Sequence, residues 1–352
     1  MSSQQPDKAT DKPDRDNVRR GPTPWAGGAT HVGSKASPNQ DALAIAATSS
    51  PVNRSAIVAV SDGVSTSPHS DVASQIAVDR ATDTLIGVLT DRQHSDEPRG
   101  LAQALRDAVQ TANAAIVDAA GNDTDGYACT LVLALLHRGF VMVANMGDSR
   151  AYWFGDDHTD MMLTTDDSMA QLSIELGATR DVAEAGRQAH AITKWLGPNA
   201  PDLEPQLGGF RVAGPGWLLV CSDGLWNYAS SAQDLRAVWD SLSRPEDATA
   251  ETLAGLLIDW ANARGGHDNI TVGLVRVEPG PAAAPADPDA PDTDATDIDR
   301  SDAGSDGEGG EAAAEAAGAE TAEAPTGDAP DNVSSLDGGP EGTPDGPTSD
   351  QS

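Results

Sequence analysis

An α+β fold, with antiparallel sheets covered by helices, is what the sequence predicts. Three observations lead there. Short apolar, β-branched runs recur between clusters of Gly, Asp, Asn, Ser and Pro, as strands do. Some of these runs are joined by turns too tight for a parallel crossover. Long segments with helical periodicity arrive as a pair and do not alternate regularly with strands, which argues against a parallel βαβ sheet.

The elements follow in chain order. Residues 43–47 and 56–60 read as strands, then residues 71–89 as a helix that places Ala73, Ile76, Ala77, Ala81, Leu85 and Val88 on one broad face. A second helix is predicted over 101–119, and strands over 130–136 and 140–145, with His137-Arg138-Gly139 as the hairpin between them. Gly147-Asp148-Ser149-Arg150 turns the chain into a strand at 151–154. A helix at 169–176 opens a less regular stretch that ends near residue 200. Strands at 217–221 and 270–277 enclose helices at 232–242 and 251–263. No internal repeat is visible.

Composition divides the 352 residues into three parts. Residues 1–23 are polar and expected to be unstructured, residues 24–278 form one domain, and residues 279–352 are an acidic tail of Ala, Gly, Pro, Asp and Glu. Such a tail cannot bury enough apolar surface to offset its ordering entropy, so it is expected to be disordered. Roughly half of the net charge of −33 falls there. So acidic a chain disfavours nucleic acid as a partner. The two cysteines, Cys129 and Cys221, sit inside apolar runs and read as free buried thiols of a reducing compartment. No run of about 18 apolar residues and no apolar leader is present, so a cytoplasmic protein without a membrane partner is expected. It is expected to be a monomer.

The chemistry lies in acids at strand ends. Asp41 precedes a strand in NQDALAI, Asp62 follows one in IVAVSDGV, Asp148 follows one in VMVANMGDSR, Asp223 ends WLLVCSDGLW, and Asp268 opens the strand of HDNITVGLV. Each alone is explained by turn chemistry as readily as by function. As a set they are not, since Ser-Asp-Gly twice follows an apolar run. Convergent carboxylates need cations, and hard divalent ions with oxygen ligands, Mg²⁺ or Mn²⁺, suit them. The His and Cys spacing does not suit zinc.

These residues resemble the metal-dependent serine/threonine protein phosphatases of the PP2C type, the PPM family, in a bacterial form. The resemblance runs from GATHVGSKASPNQDALAI through AVSDGVSTSPHSD, ACTLVLALL, NMGDSRAYWF, LTTDDSMAQ and LLVCSDGLWNY to GGHDNITVGLV. It implies an αββα sandwich of two antiparallel sheets flanked by helix pairs. It also implies hydrolysis of phosphoserine and phosphothreonine in proteins by metal-activated water, opposing a serine/threonine kinase. By the same resemblance Asp62 bridges two metal ions and Gly63 offers its carbonyl to one of them. Asp223 and Asp268 hold the other ion, Asp148 serves a third and weaker ion, and Asp41 holds metal-bound water. Asn269 supports its neighbour by hydrogen bonds.

The sequence departs from the family pattern in places. Gln40 stands where many relatives have Glu. Lys35 is the nearest basic residue where an Arg commonly grips the phosphate, and Lys lacks the bidentate fork. His31, His69 and His267 are candidates for proton transfer. A catalytically weak PP2C-like binding module and a hydrolase of small phosphate esters remain as alternatives.

Overall fold

The computed structural model describes residues 16–278 except 36–37, 49–53 and 91–96, all within the compact unit Met1–Asp287. Residues 1–15 and the acidic tail from 279 onward lie outside the described residues.

Among the described residues, eleven strands form two sheets. The first runs in the order β1 (Asn17–Thr23), β2 (Ala26–His31), β11 (Ile270–Val277), β10 (Gly216–Cys221), β7 (Arg150–Gly155) and β8 (Asp160–Met162). The second runs β3 (Ala42–Ala47), β4 (Ala56–Ser61), β5 (Leu131–His137), β6 (Phe140–Met146) and β9 (Gln206–Arg211). Every pairing is antiparallel.

Side chains alternate between two cores because strand periodicity is two. On β4, Val58 and Val60 enter the layer between the sheets, while Ile57 and Ala59 face helices α1 (Ser70–Thr90) and α2 (Pro98–Ala120). On β10, Leu218 and Val220 meet that same inter-sheet layer. Leu219 and Cys221 turn to α6 (Ala232–Ser241) and α7 (Ala250–Asn262). The result is helix pair, sheet, sheet, helix pair: the αββα sandwich expected above. Helix α1 packs through Ala73, Ala77, Ala81 and Leu85, one stripe at four-residue spacing, so it lies close against the second sheet.

The N-terminal boundary needs correction. Residues 17–23, expected to be unstructured, form β1, which pairs through Val18↔Thr30 and Arg19↔Ala29. This strand is mostly exposed, so backbone pairing holds it rather than apolar burial, and composition carries no trace of that. Its partner β2, Ala-Gly-Gly-Ala-Thr-His, also escaped the reading. It is buried yet has no large apolar side chain.

Candidate metal and phosphate site

The acids predicted from the sequence come together at one end of the sandwich, where strands of both sheets stop. Asp41 and Asp62 flank the paired residues Ala42↔Ser61 of β3 and β4, which fixes them side by side. Asp148 follows β6 through Gly147. Asp223 follows β10 as the first residue of the short helix α5 (Asp223–Trp226), and Asp268 stands just before β11. Gly63 lies so close to the chain at residue 40 that a Cβ would come within 2.8 Å of the Gln40 carbonyl oxygen. At Gly224 a Cβ would meet the Asn269 carbonyl oxygen at 1.9 Å. The two Ser-Asp-Gly repeats therefore do more than turn the chain: glycine lets each aspartate's loop press against a neighbouring backbone.

Asp62 is the electrostatic centre. Burial holds its carboxyl well above the usual range, and Asp41, Asp223, Asp148 and Asp268 each add to the rise. Burial likewise lifts Asp41 to about 7 and Asp223 to about 6, with neighbouring acids contributing to both. Asp148 is raised by burial and by Asp223 and Asp166, against the opposing pull of Arg150. All five acids thus belong to one field, although Asp268 itself is exposed.

Hydrogen bonds orient this cluster asymmetrically. Asp41 Oδ2 accepts from Ser222 Oγ at 2.7 Å and Thr271 Oγ1 at 2.6 Å, while its buried Oδ1 has no partner. Asn227 donates to Asp223 Oδ2 at 3.1 Å, and Asp223 Oδ1 is also buried without a partner. Thr130 Oγ1 accepts the Asp62 N–H at 2.9 Å. Asn269 receives the Gln40 N–H at 2.7 Å and donates to the Val32 carbonyl at 2.9 Å, so its side chain ties the Asp41 loop to the start of β11. It supports Asp268 through its backbone N–H, at 2.8 Å from Oδ1.

The other predicted residues lie further out. Lys35 is exposed, on a loop whose N–H groups at Ser34 and Lys35 bind the Gly266 carbonyl at 2.8 and 3.1 Å, beside Asp268 in sequence. The His31 Nδ1 accepts the Gly33 N–H, His69 faces Asp123 at 3.7 Å, and His267 Nδ1 meets the Tyr228 hydroxyl at 3.0 Å. None of the three is among the main influences on Asp62. His190 is different: it favours the charged form of Asp223. It belongs to the irregular stretch after residue 168, where an isolated histidine gave no signal. Cys129 and Cys221 are free and buried; burial pushes the Cys129 thiol up to about 12, which removes it as a nucleophile.

Residues 28–258 match the family model of protein phosphatase 2C. The chain belongs to the protein phosphatase 2C family. It is 30% identical over 252 residues to a protein phosphatase 2C-type of Streptococcus pyogenes, covering 71% of this chain and 96% of that one. Among solved structures, the S. agalactiae serine/threonine phosphatase superposes with a TM-score of 0.58 at 27% identity, over 71% of this chain and 98% of that one. The catalytic domain of the serine/threonine protein phosphatase PstP, in complex with two manganese ions, gives 0.53 at 25% identity over 72% and 98%. Membership makes the chain a metal-dependent protein serine/threonine phosphatase with phosphoprotein substrates.

The donors of this PP2C site fit hard cations. They are carboxylates in a crowded, buried field, with orphaned oxygens on Asp41 and Asp223. Among the described residues, no three or more His, Cys, Asp or Glu side chains are gathered so as to enclose an ion by themselves. Mg²⁺ and Mn²⁺ do not demand that, since they complete their shells with water and backbone oxygen. No described helix is long and apolar enough to cross a membrane.

Proposed function

We propose that this chain hydrolyses phosphoserine and phosphothreonine in proteins with two Mn²⁺ or Mg²⁺ ions, opposing a serine/threonine kinase, as a monomer that uses neither nucleic acid nor membrane as a partner. The observation that carries the reading is the convergence of four carboxylates on half-buried Asp62. Like charges so placed are costly unless cations balance them. Asp62 and the Gly63 carbonyl would hold one ion, Asp62 with Asp223 and Asp268 the other, and Asp148 a third. When bound, such ions neutralise the cluster, acidify water and polarise the phosphoryl oxygens.

The chain's own groups do the rest. Ser222 and Thr271 pin one oxygen of Asp41, leaving Oδ1 to orient the attacking water and hold its proton. Lys35, on the rim, offers a positive charge to the incoming phosphate dianion. No covalent intermediate is needed. The test is phosphate release from phosphothreonine peptides and p-nitrophenyl phosphate by the purified full chain, with Mn²⁺, with Mg²⁺ and with chelator. Release that is equal with and without chelator would defeat the reading.

A further inference from the structure

A cavity opens at the loop that follows Asp62. It has a volume of about 290 Å³ and is walled by Val64, Tyr127, Ile192 and Trp195, with Asp125 and Asn199 at one side. Its position is set by backbone. Val64 comes two residues after Asp62 and its N–H binds the Ala128 carbonyl at 3.0 Å. Gly63 bridges to Cys129, and Cys129 bridges in turn to Leu196. Three segments that share no other task therefore meet at this wall: the loop after β4, the loop before β5, and the end of the stretch that follows α3 (Met169–Glu175). Two residues of chain span at most roughly 7 Å, so the cavity begins next to Asp62 and within reach of residues adjoining the phosphorylated one.

The lining favours one kind of guest. Two half-buried aromatic side chains, Tyr127 and Trp195, offer π-faces and apolar surface. Asp125 supplies a carboxylate, positioned by Asn199, whose Nδ2 donates to Oδ1 at 2.7 Å. No lining residue is basic. An aliphatic stem that ends in a cation satisfies aromatic walls and a carboxylate together. An acidic side chain would be repelled, and a purely apolar one would leave the carboxylate unused.

We propose that this cavity binds an arginine or lysine side chain of the substrate, within about three residues of the phosphoresidue, and so sets sequence preference. The proposal rests on the phosphatase reading above. It assigns Asp125 a role in specificity only, since Asp125 is not among the main influences on Asp62.

The experiment uses the full chain with Mn²⁺ and phosphothreonine peptides that differ only at flanking positions, carrying Arg, Ala, Leu or Glu. At one flanking position Arg should raise kcat/KM about tenfold over Ala, through KM. Asp125→Asn should remove that advantage and Asp125→Arg should invert it toward Glu, while p-nitrophenyl phosphate turnover stays the same for all three proteins. Equal rates for Arg and Ala, a preference for Leu that exceeds Arg, or an Arg preference that survives Asp125→Asn would overturn the proposal. Fluorescence anisotropy of the same labelled peptides reads the cavity without turnover. Loss of ester hydrolysis with retained Arg selectivity in binding would defeat the phosphatase reading and leave the cavity standing; absence of selectivity in binding would defeat the cavity.

Discussion

Arg150 of β7 reaches Glu184 of α4 (Arg180–Glu184) at 3.1 Å while its guanidinium lies 3.6 Å from the centre of the Trp226 ring. The Arg is 1% exposed, and its remaining donors are used on Asp166, at 2.7 to 3.1 Å, and on Ser230, at 2.9 Å from Oγ. Trp226 in turn donates to the Asp148 carbonyl at 2.9 Å. One side chain thus connects the irregular segment after residue 168 to the helix that begins with Asp223. A lysine carries the charge but not the planar fork. Arg150→Lys should lower stability in urea by about 2–4 kcal/mol, since Asp166 loses its buried bidentate partner. Glu184→Gln should cost about 1 kcal/mol and make the chain near residues 180–190 more susceptible to proteolysis. A Lys variant within about 0.5 kcal/mol of the parent, the range of an ordinary surface change, would show that this junction carries no stability.

The acid cluster predicts an inverted pH dependence for the ion-free protein. Asp41 and Asp223 have an ordinary value of 3.8 and are lifted by burial to about 7 and about 6. The folded state therefore keeps protons that the unfolded chain releases, and stability is lost as pH rises from about 4 through about 7. In chelator, Tm should fall by roughly 5–10 °C between pH 5 and pH 7.5. Saturating Mn²⁺ should raise Tm and flatten that slope, because the ions bind only the folded state. A Tm in chelator that climbs over this range would contradict the arrangement.

Asp62→Asn follows from the same field. Four acids act on this carboxylate, so removing its charge relieves the others. Tm in chelator at pH 7.5 should rise by a few degrees with the far-ultraviolet circular dichroism unchanged. Phosphate release should drop by at least about a thousandfold, as expected if the carboxylate proposed to hold both ions is lost. Residual activity above a few per cent of the parent would remove Asp62 from the centre of the mechanism.

What could be read from the residues, and what could not, divides on a physical line. The strands at β4, β5, β6, β10 and β11 announce themselves by buried β-branched runs. The acids announce themselves because Ser-Asp-Gly after such a run is unusual. β1 and β2 do not, since one is exposed and the other is built from Ala and Gly, and both owe their place to backbone ladders, β1 on β2 and β2 on β11. The four-residue helix α5 is likewise silent, because a single turn has no periodicity. Ser222 and Thr271 went unread for another reason. Hydroxyls that hold a carboxylate are distant in sequence, 181 and 230 residues from Asp41 for Ser222 and Thr271, and only the folded chain brings them to it.

Asn269 offers the sharpest separation of support from chemistry. It is 3% exposed and makes two opposed contacts, accepting from the Gln40 N–H and donating to the Val32 carbonyl. Alanine would leave that donor and that acceptor unpaired, at a cost of about 2 kcal/mol or more. Aspartate could still accept from Gln40 but would turn a carboxylate toward the Val32 carbonyl, and would add another acid to the cluster. Both changes release the loop that positions Asp41, whose Oδ1 must hold its place to within a fraction of an ångström to be useful. With Mn²⁺, kcat on p-nitrophenyl phosphate should fall about tenfold or more for both variants. KM should move by less than about twofold, because no group that touches the ester has changed. The two should part in their pH response without metal: Asn269→Asp should lose stability more steeply than Asn269→Ala as pH rises above about 5, since only the former gains a buried charge. Equal pH slopes together with an unchanged kcat would mean that Asn269 fills space and nothing more.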